Sequence, residues 1–344
     1  MNIFEKAVEL LEKGESFAFA TIITQDGSTP RSSGSKMIIT KNDTFFTIGG
    51  GGREGDVIRR AKEDVFVNKK PVIHFYCLRG NEAADTDFIC GGDLEVMIDF
   101  MDAEDINNLN VFRAAAEAFK SGVLAWLITI LDFGTGERQF GLSHQKKGLV
   151  GDLKATDRVN LDHVSNPLHS TIHGEDDGDI RYILDPVHIG GTCYLFGGGH
   201  VSYAVANVLK NLEFHTVVID DRPEFANKER FPFCDTVVIP EYKDLDQIKT
   251  NQDSYIIILT RGHQFDREVL EWALKQDCYY LGMIGSRTKR ETIYGILRKQ
   301  GVTDEELSKV FSPIGVAIDA QTPEEIAISI AAELIKHRAL LSRG

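Results

Sequence analysis

Apolar and polar positions alternate with two different periods along the first 150 residues. Phe4, Val8 and Leu11 lie at helical spacing, so residues 1–11 are predicted to form an amphipathic helix. Strand-like runs follow in SFAFATIIT, SKMIIT, TFFTIGG, VIHFYC and LEVMIDF, and helical runs in GDVIRRAKEDVFV and NVFRAAAEAFKSG. The segment VLAWLITILDFGTGERQFGLS predicts a hairpin that turns at Gly134 and Gly136. This mixture predicts an α+β domain over residues 1–150.

Residues 151–188 differ from the preceding domain because they show little apolar periodicity. We interpret them as a polar connector, and we place the domain boundary there. The connector contains His163, His169 and His173, which invite a metal-binding interpretation. Their uneven spacing matches no standard ligand pattern, so we expect solvated histidines.

From Thr192 onward, near-continuous apolar runs alternate with amphipathic helical runs. Examples are TCYLFG, HTVVID, SYIIILT and YYLGMIG for strands, and VSYAVANVLKNL and REVLEWALKQ for helices. Strands that are apolar on both faces and separated by helices are typical of a parallel sheet covered on both sides. The fold predicted for residues 189–344 is therefore a Rossmann-like, doubly wound α/β domain.

The first strand–helix junction of this domain carries a partial dinucleotide-binding fingerprint. Gly197 and Gly199 follow an apolar strand and precede a helix, which is the context that the fingerprint requires. Ser202 replaces the third glycine, and Asp220 ends the next strand, where an acidic residue can bind a ribose hydroxyl. The alternative is a Rossmann fold whose glycines serve only the turn, because a fold does not establish a ligand.

Two further strand ends are expected to meet the same crevice, because ligands of open parallel sheets lie beyond the carboxyl ends of strands. One end carries Arg261 and His263, and the other carries Ser286, Arg287 and Lys289. A Gly-Ser turn followed by cations at a helix start favours an anion-binding site. The alternative is helix capping by Ser286 with solvated basic residues.

The first domain contains glycine clusters of its own. The run from Gly49 to Gly52 leads into Glu54 at a helix start, and such a run exposes backbone amides at close range. Cys90 lies on a second glycine turn, where a thiol can be a ligand or a sulfur carrier, although most free cysteines are buried and inert. A purely structural loop remains an alternative for the glycine run.

Composition narrows the classes of function. The chain has 344 residues and a formal net charge of −14, which disfavours a general role in coating nucleic acid or an anionic membrane. An anionic ligand must therefore meet a local basic pocket, and Arg31 and Lys36 in DGSTPRSSGSKMII are candidates for one. Five scattered cysteines without a CxxC pair, together with residues 1–11 that do not resemble a signal peptide, predict a cytoplasmic protein in a reducing compartment.

Taken in order along the chain, these motifs resemble the XdhC/CoxI family of accessory proteins for molybdenum hydroxylases such as xanthine dehydrogenase. The resemblance rests on GSTPRSSGSKM, IGGGGREGDV and CGGDLEV in the first domain. In the second domain it rests on FGGGHVSYAVA, VIDDRPEFA, LGMIGSRTKR and PIGVAIDAQTPEEIAISIAAELI. It covers nearly all of the chain apart from the connector. Many relatives have Cys at the position of Gly52, so the thiol of that family motif is absent here.

The resemblance implies a chaperone that binds molybdenum cofactor, protects it, and supports its sulfuration and insertion into an apo-hydroxylase. Implied partners are a molybdenum hydroxylase of xanthine dehydrogenase type and a cysteine desulfurase. Molybdenum cofactor is a pterin dithiolene bearing a phosphate, and it needs amides, cations and a thiolate; Cys90 is the residue expected to contact molybdenum or sulfur. The cofactor-binding residues expected in the first domain are Gly27, Ser28, Arg31, Lys36, Gly50, Gly51, Glu54, Cys90, Gly91 and Gly92. Those expected in the second are Gly197, Gly199, His200, Asp220, Arg261, His263, Ser286, Arg287 and Lys289.

Two other classes of function remain open at this point. A nicotinamide-dependent oxidoreductase would bind NAD(P) through Gly197, Gly199 and Asp220, with His200 or His263 as acid and base. A nucleotide-sensing regulatory protein would use the same Rossmann-like domain. The sequence offers no complete catalytic constellation for the enzyme, and the sensor leaves the first domain unexplained. A homodimer is expected only because two-fold dimers are the commonest oligomers.

Overall fold

The computed structural model describes residues 2–27, 34–76, 92–153, 173–187 and 190–341. The chain divides into two compact units, Met1–Val187 and His188–Gly344. The first unit is built on two antiparallel sheets and the second on one parallel sheet. The predicted combination of an N-terminal α+β domain with a C-terminal Rossmann-like domain is therefore confirmed.

The first sheet, sheet A, has the strand order β3-β2-β1-β5-β4 and is antiparallel throughout. Its long central strands β1 and β5 pair along almost their entire length. The strands are β1 (Phe17–Gly27), β2 (Lys36–Ile39), β3 (Thr44–Phe46), β4 (Val72–Tyr76) and β5 (Gly92–Met101).

The second sheet, sheet B, is antiparallel in the order β8-β7-β6-β10-β9. It contains the predicted hairpin, with β6 and β7 joined by a turn in which Asp132 accepts hydrogen bonds from the amides of Gly134 and Thr135. The strands are β6 (Ala125–Asp132), β7 (Glu137–His144), β8 (Gly148–Gly151), β9 (His173–Asp177) and β10 (Ile180–Pro186).

Strands β9 and β10 lie within the stretch that sequence analysis assigns to a polar connector, and here the structure differs from that prediction. β10 pairs with β6 along its whole length and buries Tyr182, Ile183 and Leu184. The two strands therefore belong to the first unit, which ends at Val187. The acidic run 175–177 of β9 hides the strand signal, because a charged edge strand lacks the apolar alternation that reveals a strand. Of the three connector histidines, His163 and His169 lie outside the described residues, and His173 begins β9.

The helices described in the first unit each have a clear local origin. Helix α1 (Ile3–Glu12) begins with a capping box in which Asn2 and Glu5 bind each other's backbone amides. Helix α2 (Gly51–Arg60) continues through a π-helical turn at Ala61–Val65 into the short α3 (Phe66–Asn68). Helix α4 (Ile106–Ser121) is capped by Asp105 and ends at Gly122, which has a left-handed conformation.

Sheet A separates two apolar cores. Ala20, Ile98 and their neighbours on one face pack against Val57 and Val65 of the helical segment that starts with α2. On the other face, Phe17 and Phe19 pack with Phe112 of α4 and Phe140 of sheet B. The alternation along β1 thus places both faces of the strand in apolar surroundings.

Ion pairs among the described residues join the two sheets. The carboxylate of Asp99 in β5 lies 2.7 Å from the guanidinium of Arg138 in β7. Glu95 of β5 pairs with Arg181 of β10 at 2.6 Å, and Lys36 of β2 lies 2.8 Å from Asp185 of β10. Burial raises the pKa values of Asp99 and Asp185, and the neighbouring cations counteract this effect.

The second unit contains a parallel sheet, sheet C, in the order β13-β12-β11-β14-β15. This is the doubly wound order, with the direction of winding reversing between β11 and β14. The strands are β11 (Thr192–Phe196), β12 (His215–Asp220), β13 (Asp235–Val238), β14 (Ser254–Ile258) and β15 (Tyr280–Met283). The helices are α5 (His200–Asn211), α6 (His263–Ala273), α7 (Arg287–Lys299), α8 (Asp304–Ser308) and α9 (Pro323–Leu341).

Both faces of sheet C are covered by apolar clusters. One contains residues of α6 and α7, such as Leu270 and Leu297, and the other contains Leu209 of α5 and Leu334 of α9. Ser202, at the position of the missing third glycine, is fully buried. Within the described residues, no helix is long and apolar enough to cross a membrane.

Candidate functional site

Four chain segments point toward one end of sheet A. β1 ends at Gly27, whose Cα partner is Gly92, the first residue of β5. β3 and β4 run in the same direction as β1, so the chain after each of them leaves the sheet toward this end. We call this place the glycine end of sheet A. Two glycine-containing motifs that are far apart in sequence are paired there, and the third begins after Phe46, which is aligned through Met37 with Ala20 of β1.

Several predicted site residues adjoin the glycine end. Gly27 and Gly92 close the β1–β5 ladder. The predicted residues Ser28, Arg31, Cys90 and Gly91 lie outside the described residues.

The glycine run at this end has a backbone that only glycine adopts readily. Gly49, Gly50 and Gly51 have φ values of 132°, 72° and 70°. A Cβ atom on Gly50 or Gly51 would meet nothing within 4 Å, so the run borders open space. Conformation, and not crowding, therefore requires glycine here.

Glu54 holds this run in place. Its Oε2 accepts hydrogen bonds from the hydroxyl of Thr47 at 2.5 Å and from the amides of Ile48 and Gly50 at 3.1 and 3.0 Å. A carboxylate that accepts several bonds at a helix start also interacts favourably with the helix dipole. Glu54 thus stabilises the conformation of the glycine run through hydrogen bonds to its backbone and to Thr47.

Lys36 has a different role from the solvent-facing cation that the sequence suggested. Its ammonium group is buried, donates to the carbonyl of Gly34 at 2.8 Å, and lies 2.8 Å from Asp185. Because Asp185 neutralises it, Lys36 adds little net positive charge to the glycine end. A buried lysine requires such a partner, and the sequence does not show the partner because it is on another sheet.

A network on α2 was not found by sequence analysis. Asp56 accepts hydrogen bonds from Arg60 at 2.7 Å and from the phenol of Tyr76 at 2.9 Å, and also pairs with Arg59. Burial by itself raises the pKa of Asp56, but the arginines and Tyr76 outweigh it and lower the pKa to about 2. The network ties α2 to β4 beside the glycine end. The spacing of four residues between Asp56 and Arg60 on a predicted helix could have indicated this ion pair.

In the second unit, the carboxyl ends of β12, β11, β14 and β15 form one edge, as sequence analysis expected. Asp220 ends β12, and the loops after β11, β14 and β15 carry Gly197, Arg261 and Ser286, respectively. The switch point lies between β11 and β14, because α5 follows the first strand and α6 the second.

The glycines after β11 are required by crowding. A Cβ atom on Gly197 would lie 2.4 Å from the carbonyl oxygen of Leu259, and one on Gly198 would lie 2.2 Å from that of Phe225. Gly197 also has a φ of 107°. Gly199 is different, because its Cβ would meet nothing within 4 Å. The loop therefore packs tightly except at its last glycine.

The carboxylate of Asp220 stabilises this loop through hydrogen bonds to its backbone. Its carboxylate accepts hydrogen bonds from the amide of Gly198 at 2.7 Å and from the backbone and side chain of Arg222. Burial by itself raises the pKa of Asp220, but the bonds from Arg222 and Gly198 outweigh it and hold the pKa below its usual range. A ribose diol would have to displace these donors, which sequence analysis could not show.

Most of the predicted cations at this edge are paired. Arg261 lies 2.7 Å from Asp221 of the neighbouring loop, and Lys289 pairs with the fully buried Asp266. Asp266 also accepts from the hydroxyl of Thr260 at 2.7 Å. These pairs neutralise charge that the sequence offered to an anion.

The turn after β15 has a different character. The hydroxyl of Ser286 accepts from the amide of Lys289, which is the helix cap foreseen as the alternative, while the side chain of Arg287 is exposed. Capping and anion binding are compatible here, because the cap uses one amide and leaves the guanidinium of Arg287 in solvent.

The two helices at the switch point begin alike. Gly199 precedes α5 and Gly262 precedes α6, neither helix has a side-chain cap, and a Cβ on either glycine would meet nothing within 4 Å. His200 and His263 open these helices and are exposed. Uncapped amides beside open space, with the positive ends of two helix dipoles, suit a phosphate or another anion.

Thiols in the described residues are unsuited to sulfur chemistry. Cys193 and Cys234 are buried, and Cys278 is partly buried. Burial raises the pKa of all three thiols, to about 12 for Cys234 and about 11 for Cys278. No group of three or more metal-binding side chains occurs in the described part of the chain. Cys90 remains the predicted reactive thiol, outside the described residues.

Comparison with protein families gives two matches that follow the two units. Residues 10–76 match the XdhC and CoxI family, and residues 193–334 match the XdhC Rossmann domain. The first match includes the glycine run and Glu54, and the second includes the loops after β11, β12, β14 and β15.

Two curated proteins are similar along almost all of the chain. A protein named YqeB from Escherichia coli is 26% identical over 98% of this chain, but the chain spans only 46% of that relative. A protein from Bacillus subtilis, whose name describes it as a probable subunit of xanthine dehydrogenase, is 25% identical over 96% of this chain and 95% of its own length.

A solved structure shares the fold. It is described as a xanthine dehydrogenase from Bacillus halodurans and has a TM-score of 0.70, with coverage of 97% of this chain and 96% of the other. At 23% identity, this likeness shows that the arrangement of elements is common to both chains.

Proposed function

Because the chain belongs to the XdhC and CoxI family, we propose that it is an accessory protein for a molybdenum hydroxylase of xanthine dehydrogenase type. In this role it binds molybdenum cofactor and supports its sulfuration and insertion into the apo-hydroxylase. The name of the Bacillus subtilis relative, which this chain matches over almost its full length, supports the association with xanthine dehydrogenase.

The observation that carries the proposal is the pairing of two distant glycine motifs at the glycine end of sheet A, with the third motif directed toward that end. Gly27 of β1 pairs with Gly92 of β5, and the chain after β3 leaves the sheet in the same direction. The run Gly49–Gly51 offers a backbone with positive φ and open space on the side where side chains would stand. Such a surface can approach a flat polar ring system closely. Arg31 and Cys90, which lie outside the described residues, are the cation and the thiolate that the sequence predicts for this site.

Taken by itself, the switch point of sheet C supports binding of a phosphate or a nucleotide. The first turns of α5 and α6 supply amides, and Arg287 supplies an exposed cation. The donor set fits an anion better than it fits a nicotinamide dinucleotide, because Asp220 is already engaged by Gly198 and Arg222. The oxidoreductase hypothesis is therefore less well supported than the chaperone hypothesis.

When bound, molybdenum cofactor supplies a metal that carries an exchangeable oxo or sulfido group. The protein's own contribution is to bind and orient. The amides of Ile48, Gly49 and Gly50 are already bonded to Glu54 and Thr47, so the glycine run would offer the pterin ring a surface without side chains and not free amides. In the second unit, taken by itself, the uncapped helix starts would hold a phosphate.

The proposal is tested by incubating the purified chain with molybdenum cofactor without oxygen and measuring co-elution of molybdenum and pterin fluorescence. NAD and AMP serve as competitors. We expect stoichiometric retention that NAD does not reduce. Absence of retention, together with saturable binding of NAD or AMP, would refute the chaperone role and leave a nucleotide-binding protein.

Two matched pairs of variants locate the contacts. Cys90→Ala should weaken cofactor retention or activation of the hydroxylase, whereas Cys278→Ala removes a thiol of raised pKa and should not.

Arg287→Ala should weaken binding by about tenfold, the effect of losing one charged hydrogen bond. Arg298→Ala on the same helix is its control, because that guanidinium pairs with Asp304. Equal effects within a pair would remove that residue from the site.

A further inference from the structure

Helix α9 carries an apolar stripe on its exposed face. Ile328 is 54% exposed and Ile335 is 40% exposed, and Ala332 and Ala339 are exposed between and beyond them. The spacing of three and four residues places all four side chains on one side of the helix. We call these four residues the α9 stripe.

The stripe is separate from the apolar face that attaches α9 to its own unit. Ala327, Ile330 and Leu334 are buried in the cluster that also contains Leu209 of α5. A helix that is anchored on one face normally presents polar side chains on the other. Val316 of the preceding loop, which shares backbone and side-chain hydrogen bonds with Ser329, is also 38% exposed. Exposed apolar side chains in a row on one helix face are typical of an interaction site.

We propose that the α9 stripe binds the same stripe of a second copy of this chain, with the two helices antiparallel about a two-fold axis. In this arrangement Ile328 of each copy lies opposite Ile335 of the other, and Ala332 lies at the axis. The small side chain of Ala332 allows the helix backbones to approach closely, while the isoleucines on either side fill the remaining space. A two-fold contact of this type is closed, so it yields a dimer and not a filament.

The charged side chains beside the stripe can form ion pairs between the two copies only when the helices are antiparallel. Glu325 lies one turn before Ile328, and Lys336 follows Ile335, on the same flank of the helix. In the antiparallel pair, Glu325 of one copy is displaced from Lys336 of the other by only about 4 Å along the axis, from the 1.5 Å rise per residue. In a parallel pair, the two-fold axis would place the charged flanks of the two copies on opposite sides of the contact, so Glu325 and Lys336 could not pair. Antiparallel packing also places opposite ends of the helix dipoles together.

The first test measures the mass of the full chain by sedimentation equilibrium over a concentration series. We expect a dimer, and we expect Ile335→Asp to raise its dissociation constant by at least about tenfold, since the substitution acts twice in a symmetric interface. The control is Ile296→Asp, which places the same charge at an exposed isoleucine of α7. A monomeric wild-type chain would overturn the proposal. So would a dimer to which both substitutions do equal harm or neither does any.

The second test reverses charges to fix the orientation. Lys336→Glu should weaken the dimer by placing two carboxylates together, whereas Lys336→Gln should have a smaller effect. The double variant Glu325→Lys with Lys336→Glu exchanges the charges and should regain much of the lost affinity. Since Glu325 also accepts from the amides of Gln321 and Thr322, circular dichroism must show that α9 remains folded. A folded double variant no tighter than Lys336→Glu would refute the antiparallel pairing. These outcomes do not depend on cofactor binding.

Discussion

The two glycine-rich loops look alike in sequence, but glycine is needed in them for different reasons. In the first unit, Gly49 to Gly51 have positive φ values, while a Cβ on Gly50 or Gly51 would enter open space. In the second unit, Gly197 and Gly198 lie so close to neighbouring carbonyls that a Cβ would overlap them. Backbone dihedral angles require glycine in the first loop, and close packing requires it in the second.

Each loop has a carboxylate that accepts hydrogen bonds from its backbone. The two carboxylates differ in their burial and in their partners. Glu54 binds amides of the run from a helix start, while Asp220 is fully buried and binds Gly198 together with Arg222. Both loops are therefore held by a carboxylate, but the first has open space at Gly50 and Gly51, whereas the second is tightly packed up to an open edge at Gly199. Substitutions that separate strain from crowding test this contrast.

The largest effect is expected for Gly198→Ala. Its Cβ would lie 2.2 Å from the carbonyl oxygen of Phe225, which is backbone and cannot rotate away. We expect a loss of about 3 kcal/mol in the free energy of unfolding, at the upper end of the usual range for overpacking. Urea unfolding of the full chain, followed by tryptophan fluorescence and circular dichroism, measures it.

Gly199→Ala is the matched control one residue further along. Gly199 has a φ of −69° and open space around its Cβ, so the free energy of unfolding should change by less than about 0.5 kcal/mol. A methyl group there would nevertheless stand beside the uncapped start of α5 and hinder an anion. Equal destabilisation by the two variants would show that crowding does not distinguish the residues.

The second-largest effect on stability is expected from the carboxylate of Asp220. Asp220→Asn removes the charge from a buried group that accepts from Gly198 and Arg222, and should cost about 2 kcal/mol of unfolding free energy. Because the pKa of Asp220 is lower in the folded chain than its ordinary value of 3.8, its stabilising contribution is present above that value and is lost as pH falls through the folded pKa. The difference between wild type and variant should therefore shrink below about pH 4. A difference that grows on acidification would contradict the assignment.

Sequence reasoning worked well for the second unit because its signals are local. An apolar strand, a glycine turn and a helix follow one another directly, and the carboxyl ends of parallel strands necessarily share an edge. The sequence therefore identified the loops after β11, β12, β14 and β15. It could not show that Asp221 and Asp266 neutralise Arg261 and Lys289, because these pairs join separate loops and helices.

In the first unit the failures have one physical origin, which is pairing between distant segments. Lys36 resembled a ligand cation, and its partner Asp185 lies almost 150 residues further along the chain, on the other sheet. Separation in sequence also concealed β10, whose identity as a strand of the first unit depends on pairing with β6. Antiparallel register, which pairs Gly27 with Gly92, is equally invisible in a single sequence.

The third effect tests strain without crowding. Gly50 has a φ of 72° and a ψ of −174°, a region that residues with a Cβ rarely occupy. Gly50→Ala should cost about 1–2 kcal/mol, although nothing lies within 4 Å of the new atom. Hydrogen exchange at residues 48–54 should accelerate more than exchange in sheet A, which would locate the strain in the loop. No loss of stability would mean that the run can adopt another backbone, and the contrast with Gly198 would then be incorrect.

The smallest effect has the opposite sign. Gly52 is the second residue of α2, is exposed, and lies beyond the run of positive φ values. Gly52→Ala should therefore raise the free energy of unfolding by about 0.5 kcal/mol, because alanine costs less conformational entropy in a helix. Because Gly52 is exposed and lies beyond the positive φ values, Gly52→Cys would add at this position the thiol that the family resemblance leads us to expect. Thermal unfolding of both variants beside Gly50→Ala decides the matter. Destabilisation at position 52 would extend the strained run into α2 and make the glycine loop one residue longer than its dihedral angles indicate.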